Sequence, residues 1–227
     1  MSNFRTFILA LIASFGLPWL CLIVIPALKY QALVPVQYDK EKDGIEGQYP
    51  PAPINRQGQI VYAGEGCVQC HTQMIRPPQL ALDGWRKGWG QDQEARPAAP
   101  VRSNTLLDYL GEPYAFLGVA RIGPDLTNYG WRAPARAQIH QMLYAPRMIH
   151  NWSNMPAFKS LYEVRLAQGP VSEKALKLKG KFAPKPGYEV IPSAEAEALV
   201  DYLLSLKKDQ PIPGEATAVV AAPAAKK

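Results

Sequence analysis

Cys67-Val68-Gln69-Cys70-His71 sets two thiols three positions apart and puts an imidazole immediately after them. This order is the attachment signature of a c-type haem. The thiols form thioethers to the vinyl groups of one porphyrin, and the histidine is held below the iron as its proximal ligand. Two other chemistries use paired cysteines. A thioredoxin-like redox pair needs a βαβ setting, and a zinc ribbon needs a second Cys/His pair that this sequence lacks. The remaining cysteine, Cys21, lies in an apolar run, so a domain built around the motif has no structural disulfide to draw on. One covalent haem c is the expected cofactor, and the haem-filled core is the expected source of stability.

The elements that position the motif must fit within 227 residues, room for one ordinary domain with appendages. Ile54, Gly58, Val61 and Tyr62 recur at helical spacing and predict a short amphipathic helix ending on Gly66, directly before Cys67. Toward the other end Ser193 is an N-cap candidate and Glu195 and Glu197 suit the first turns. Ala196, Leu199, Val200, Leu203 and Leu206 then form an apolar stripe. Phe7 to Leu28 carries no charge. As a helix it spans about 33 Å, enough for a bilayer core and longer than the apolar region of a cleaved signal. Pro18 and Pro26 are kink candidates within it, and Gly16 leaves a spot for close helix packing.

The expected organisation is a membrane anchor over 1–30, a linker over 31–53, a haem domain over 54–208 and a mobile tail over 209–227. Arg5 on one side and Lys29, Lys40 and Lys42 on the other leave the orientation of the span open. Haem is attached to such motifs on the outer face of an energy-transducing membrane. The domain is therefore expected on the periplasmic side of a bacterial inner membrane, with the lipid bilayer as one partner. The net charge is +6, but the basic residues are scattered and no nucleic-acid motif appears, so no nucleic-acid partner is expected. A basic face could instead meet an acidic redox partner.

A helix before Cys-x-x-Cys-His, Gly123-Pro124-Asp125-Leu126 after it, an Asn154-Met155-Pro156 segment and a final amphipathic helix resemble the class I cytochrome c fold, over about 54–208. The resemblance implies a mainly α haem domain whose first and last helices cross, with Gly58 and Tyr62 meeting the closing helix near Tyr202 and Leu203. It also implies that the Pro124 carbonyl accepts the second ring N–H of His71. Met155, in a proline-flanked loop well after the proximal segment, is the favoured sixth ligand. A thioether opposite histidine suits electron transfer rather than ligand activation. Met74 lies too close to His71 to reach the opposite face, Met142 and Met148 read as packing residues, and His140 and His150 as surface or supporting groups, with His150 the reserve ligand.

A narrower resemblance rests on Glu65-Gly66 before the motif and Thr72-Gln73-Met74-Ile75-Arg76-Pro77 after it, together with the N-terminal span, Gly-Pro-Asp-Leu, Pro146-Arg147 and Ser153-Asn154-Met155-Pro156-Ala157-Phe158. In this order they resemble the mono-haem subunit II of cbb3-type cytochrome c oxidases. The resemblance implies an electron relay from a c-type cytochrome donor to a haem-copper catalytic subunit. Three histidines, one of them on haem c, cannot build a haem-copper centre themselves. Arg76 is a candidate partner for a haem propionate. The insertion over about 79–122, with Trp85, Arg86, Lys87, Trp89, Arg96 and Arg102, departs from the pattern and could cover the haem edge or meet a neighbouring subunit. Alternative readings are the cytochrome c subunit of a nitric oxide reductase, a haem-based gas sensor and a peroxidase-like enzyme. The sensor would need an output domain and the peroxidase an open iron.

Overall fold

The computed structural model describes residues 2–51, 55–83, 86, 89, 102–167 and 169–214. The chain divides into two units, Met1–Val36 and Gln37–Lys227.

The first unit is one continuous helix, α1 (Asn3–Gln31), long and apolar enough to cross a membrane and with none of its apolar window buried. Two stretches, Ile12–Gly16 and Leu20–Val24, loosen to π-helical spacing. Each precedes a proline whose missing N–H and bulky ring disturb the preceding turn. The carbonyls that Pro18 and Pro26 leave without an i→i−4 partner belong to Ser14 and Leu22, inside those two stretches.

In the second unit short helices are the main regular elements, joined by long loops. α2 (Arg56–Gly64) starts at Asn55, whose side chain accepts from the Gly58 N–H. Ile54, expected in this helix, lies outside the described residues. The short helices α3 (Tyr129–Arg132), α4 (Arg136–Tyr144) and α5 (Pro146–Ile149) follow. α6 (Ala194–Ser205) closes the unit, with the Ser193 hydroxyl accepting from the Ala196 N–H and Glu195 and Glu197 in the first turn.

α2 and α6 cross in contact at Gly58. A methyl group there would lie 2.2 Å from the Ala198 carbonyl oxygen and 2.5 Å from Tyr202 Cβ, so only glycine permits this approach. Asn55 Nδ2 donates to the same Ala198 carbonyl at 3.2 Å. The Tyr62 and Tyr202 rings meet edge-on at 5.5 Å, and Phe116 packs on Tyr62 at the same spacing. Val61, Leu126, Ile139, Leu143, Leu199 and Val200 complete the core around them.

Three regions add to what the sequence shows. The first is a hairpin, β1 (Tyr162–Leu166) against β2 (Tyr188–Pro192), which stands between Met155 and α6 and pairs Tyr162 with Pro192 and Val164 with Val190. Second, residues 38–49 are not a free linker. Tyr49 is 1% exposed and donates to Asp108 Oδ1 at 3.0 Å, and Tyr38 donates to the Pro211 carbonyl at 2.6 Å. The same contacts hold the start of the expected tail. Arg102 donates to the Gln210 carbonyl and Gly214 N–H donates to Asp43 Oδ1 at 2.7 Å, while residues 215–227 lie outside the described residues. Buried Tyr49 and half-buried Tyr38, each with a paired hydroxyl, make both segments part of the domain. Third, the insertion is folded in where described. Trp89 is buried, with the Arg86 and Arg121 guanidinium carbons each 4.9 Å from its ring centroid. Trp85, Lys87 and Arg96 lie outside the described residues.

Candidate haem-binding site

α2 ends at Gly64, two residues short of the expected Gly66, and Gly66, with a φ of 72°, turns the chain sharply into a 3-10 turn over Cys67–Gln69. The Cys67 carbonyl accepts from Cys70 N–H at 3.2 Å and from His71 N–H at 3.0 Å, so one compact turn carries both thiols and the imidazole. Both cysteines are free and partly exposed. Burial, with help from the Glu65 charge, pushes the Cys67 thiol up to about 12, so it stays protonated near neutral pH.

A second strand of chain fixes this turn. Val119 N–H donates to the Val68 carbonyl, Gly123 N–H to the Cys70 carbonyl and Leu126 N–H to the Thr72 carbonyl, at 3.1, 2.9 and 2.8 Å. The approach depends on two glycines. A Cβ on Gly118, whose φ is +90°, would sit 2.5 Å from the His71 carbonyl oxygen, and one on Gly123 would sit 2.2 Å from His71 Cε1.

The Pro124 carbonyl lies 2.8 Å from His71 Nδ1, the contact that the class I resemblance implies. A carbonyl can only accept, so Nδ1 carries the proton and Nε2 keeps its lone pair. Burial lowers the His71 pKa and so favours the neutral ring, an effect that the hydrogen bond to Pro124 partly offsets. Among the described residues no three His, Cys, Asp or Glu side chains converge on a point that could hold a metal ion. Cys67, Cys70 and His71 thus form a spread set, not a cage for a single ion.

Met155 sits in a loop whose turns are closed by Ser153 N–H to the His150 carbonyl and by Met155 N–H to Ser153 Oγ at 3.2 Å. Arg147 Nε donates to the Ser153 carbonyl. Met155 is partly buried and packs on the same core cluster as Cys67 and Val68. His150, the reserve ligand, is exposed and its ring lies 5.2 Å from that of Trp152. His140 is not a surface group: it is buried, with Nδ1 3.1 Å from the Tyr162 hydroxyl and Nε2 3.5 Å from Glu197. Position 140 lies on the face of α4 that carries Ile139, Leu143 and Tyr144 into the core.

Arg76 has a carboxylate partner from the protein itself. Its Nε donates to Asp83 Oδ2 at 2.9 Å, its Nη2 to Asp83 Oδ1 at 3.0 Å and its backbone N–H to Oδ2 at 3.0 Å. The bidentate edge expected at a propionate is taken by Asp83. Asp83 is fully buried and also receives Arg121 Nη1 and Nη2. Burial would raise its pKa, but the hydrogen bonds from Arg76 and Arg121 outweigh that and hold the carboxyl well below the usual range.

Asp83, Arg121 and Thr72 were not foreseen from the sequence, and Asp125 was noted only as part of the turn around Pro124. Most of their partners lie tens of residues away, and Asp83 lies seven residues past Arg76, a spacing with no periodic meaning outside a helix or strand, so no local pattern marks them. The charged residue directly after Pro124 was the one available signal.

No curated protein matched the chain. A protein-family profile described as Cytochrome C oxidase, mono-heme subunit/FixO matches residues 12–201. That match runs from the apolar helix through the haem motif, the Gly-Pro-Asp-Leu turn and the Met155 loop into α6, and the chain belongs to the FixO family of mono-haem cytochrome c oxidase subunits.

Proposed function

We propose that the chain is a membrane-anchored electron relay, passing single electrons through one covalently bound haem c from a c-type cytochrome donor to the haem-copper catalytic subunit of a cbb3-type oxidase. The observation that carries this reading is the 2.8 Å bond between His71 Nδ1 and the Pro124 carbonyl, which fixes the tautomer and leaves Nε2 as a ligand. The spread donor set fits a porphyrin, which takes thiols at its edge and an imidazole at its centre, better than a single small ion. Bound there, a haem supplies a one-electron ferric/ferrous couple.

The chain's own residues define the rest. Cys67 and Cys70 would tether the group and His71 would ligate it, with Gly123 and Pro124 holding the imidazole in place. Met155, in the loop turned by Arg147 and Ser153, would supply a second ligand. A thioether ligand would raise the potential and disfavour binding of external ligands, which suits electron transfer. Arg76 belongs to this arrangement through Asp83. The domain, about 54–208 with the packed segments around it, takes the class I cytochrome c fold, for which the α2–α6 crossing at Gly58 is the support. α1 anchors it as a single span of a bacterial inner membrane, with the domain in the periplasm.

The test is a deletion strain and the complex purified from native membranes. Loss of the chain stops oxygen reduction with physiological c-type donors. Full turnover without it, or co-purification with a nitric oxide reductase instead, contradicts the proposal.

A further inference from the structure

The two ends of the insertion meet. Asp83 near its start and Arg121 near its end form a bidentate ion pair, Nη1 to Oδ1 at 2.9 Å and Nη2 to Oδ2 at 2.8 Å. Their side chains are 0% and 18% exposed. Such a pair could be no more than the closure of a long loop. Its other bonds point elsewhere.

Arg121 Nε donates to Thr72 Oγ1 at 2.8 Å, and its Nη2 donates to the Met74 carbonyl at 2.7 Å. Thr72 Oγ1 donates in turn to Asp125 Oδ2 at 2.6 Å, an oxygen that also accepts from Met74 N–H at 3.0 Å. Asp125 Oδ1 accepts from Thr127 N–H at 2.8 Å. One guanidinium therefore joins the insertion's neck to the residues just after His71. Thr72 then joins those residues to the one just after Pro124. His71 and its carbonyl partner each sit one position from this network.

The geometry points to Arg121, with Asp83 and Asp125, as the positioning device of the proximal ligand. The neck of the insertion clamps 72–74 and 125–127 together and so sets the contact between the His71 ring and the Pro124 carbonyl. The inference rests on the haem reading above for its consequence at the iron. Arg121 touches no ligand atom itself and acts through Thr72 and Asp125. A planar guanidinium is needed because it must serve two carboxylate oxygens, a hydroxyl and a carbonyl at fixed angles, which an ammonium cannot do at once.

The test uses the full-length haem-bearing protein in detergent. The double variant Asp83→Asn/Arg121→Gln leaves the net charge unchanged, so a shift in potential is not a simple charge effect. Hydrogen exchange of peptides covering 70–76 and 123–127 is expected to rise at least tenfold, while 196–203 in α6 stays protected. The reduction potential is expected to move upward, because a loosened Pro124 contact makes His71 a weaker donor to the oxidised iron.

Arg121→Lys keeps the ion pair but not every other bond, and is expected to show the same changes in smaller degree. It also serves if the double variant fails to fold. Unchanged exchange at 70–76 and 123–127, exchange that rises evenly through the domain, or an unmoved potential in the variant that folds overturns the inference. Haem staining of the wild-type chain is read first, so a failure of the haem reading is distinguished from a failure of the brace.

Discussion

A methyl group on Gly123 would stand 2.2 Å from His71 Cε1 and 2.7 Å from Nδ1, so the imidazole lies flush against a backbone that has no side chain to give way. Gly123→Ala must therefore move either the ring or the strand that carries Pro124. The variant is expected to bind haem with an altered visible spectrum and a shifted reduction potential while far-ultraviolet circular dichroism stays unchanged. A spectrum and potential equal to wild type would mean that the ring is not held by this contact.

Gly58→Ala tests the crossing of α2 and α6 by the same steric reasoning at a site remote from the ligand turn. The Ala198 carbonyl and Tyr202 Cβ leave no room for the added methyl. Overpacking of this kind costs about 1–3 kcal/mol. A fall of that size in the unfolding free energy of the haem-bearing protein, read from denaturant melts, with its potential unchanged, is the expected result.

The Met155 assignment predicts a change at the iron rather than in the fold. Met155→Ala removes the thioether, lowers the potential and admits carbon monoxide to the reduced protein. Difference spectra with and without carbon monoxide read this directly. An unchanged spectrum and potential would move the role to another residue.

Asp83 gives the domain a pH dependence with a definite sign. Its carboxyl lies below its ordinary value in the folded state, because the bonds from Arg76 and Arg121 outweigh the effect of burial. The unfolded chain therefore binds more protons at this site than the folded one in the window below about 4, the ordinary carboxylate range. The stabilisation is fully present above that range and is lost as pH falls through it toward the folded value. Denaturant melts from pH 6 to pH 3 should show a loss of stability in the wild type that is smaller in Asp83→Asn. Equal slopes would show that the pair carries no linkage.

The ends of the domain were legible in the sequence because their signals are local. Ser193 followed by Glu195, Glu197 and an apolar stripe specifies α6, whereas its meeting with Gly58 and Tyr62 was legible through the class I resemblance. Pro124 was legible only through its family likeness, since nothing in a Gly-Pro turn by itself says that its carbonyl faces an imidazole 53 residues away. The hairpin was hidden because β1 is mostly exposed and lacks the alternation of a half-buried strand. The linker and the start of the tail read as polar punctuation, yet Tyr38, Tyr49 and Arg102 pin them through contacts that have no sequence period. For Arg76 the sequence suggested a carboxylate partner, and the structure shows one that carries no sequence period: Asp83, seven residues on, pairs with its Nε and Nη2 from within the chain.

The central claim is a covalent haem on one turn of chain, and the mature protein's mass tests it most directly. Intact mass spectrometry of the chain from native membranes, with haem staining after denaturing electrophoresis, should find one haem that survives denaturation. Single Cys67→Ser and Cys70→Ser variants should weaken the attachment, and the double variant should abolish the stain. A wild-type chain made with a working c-type maturation system, yet carrying unmodified Cys67 and Cys70 and no stain, would contradict the account.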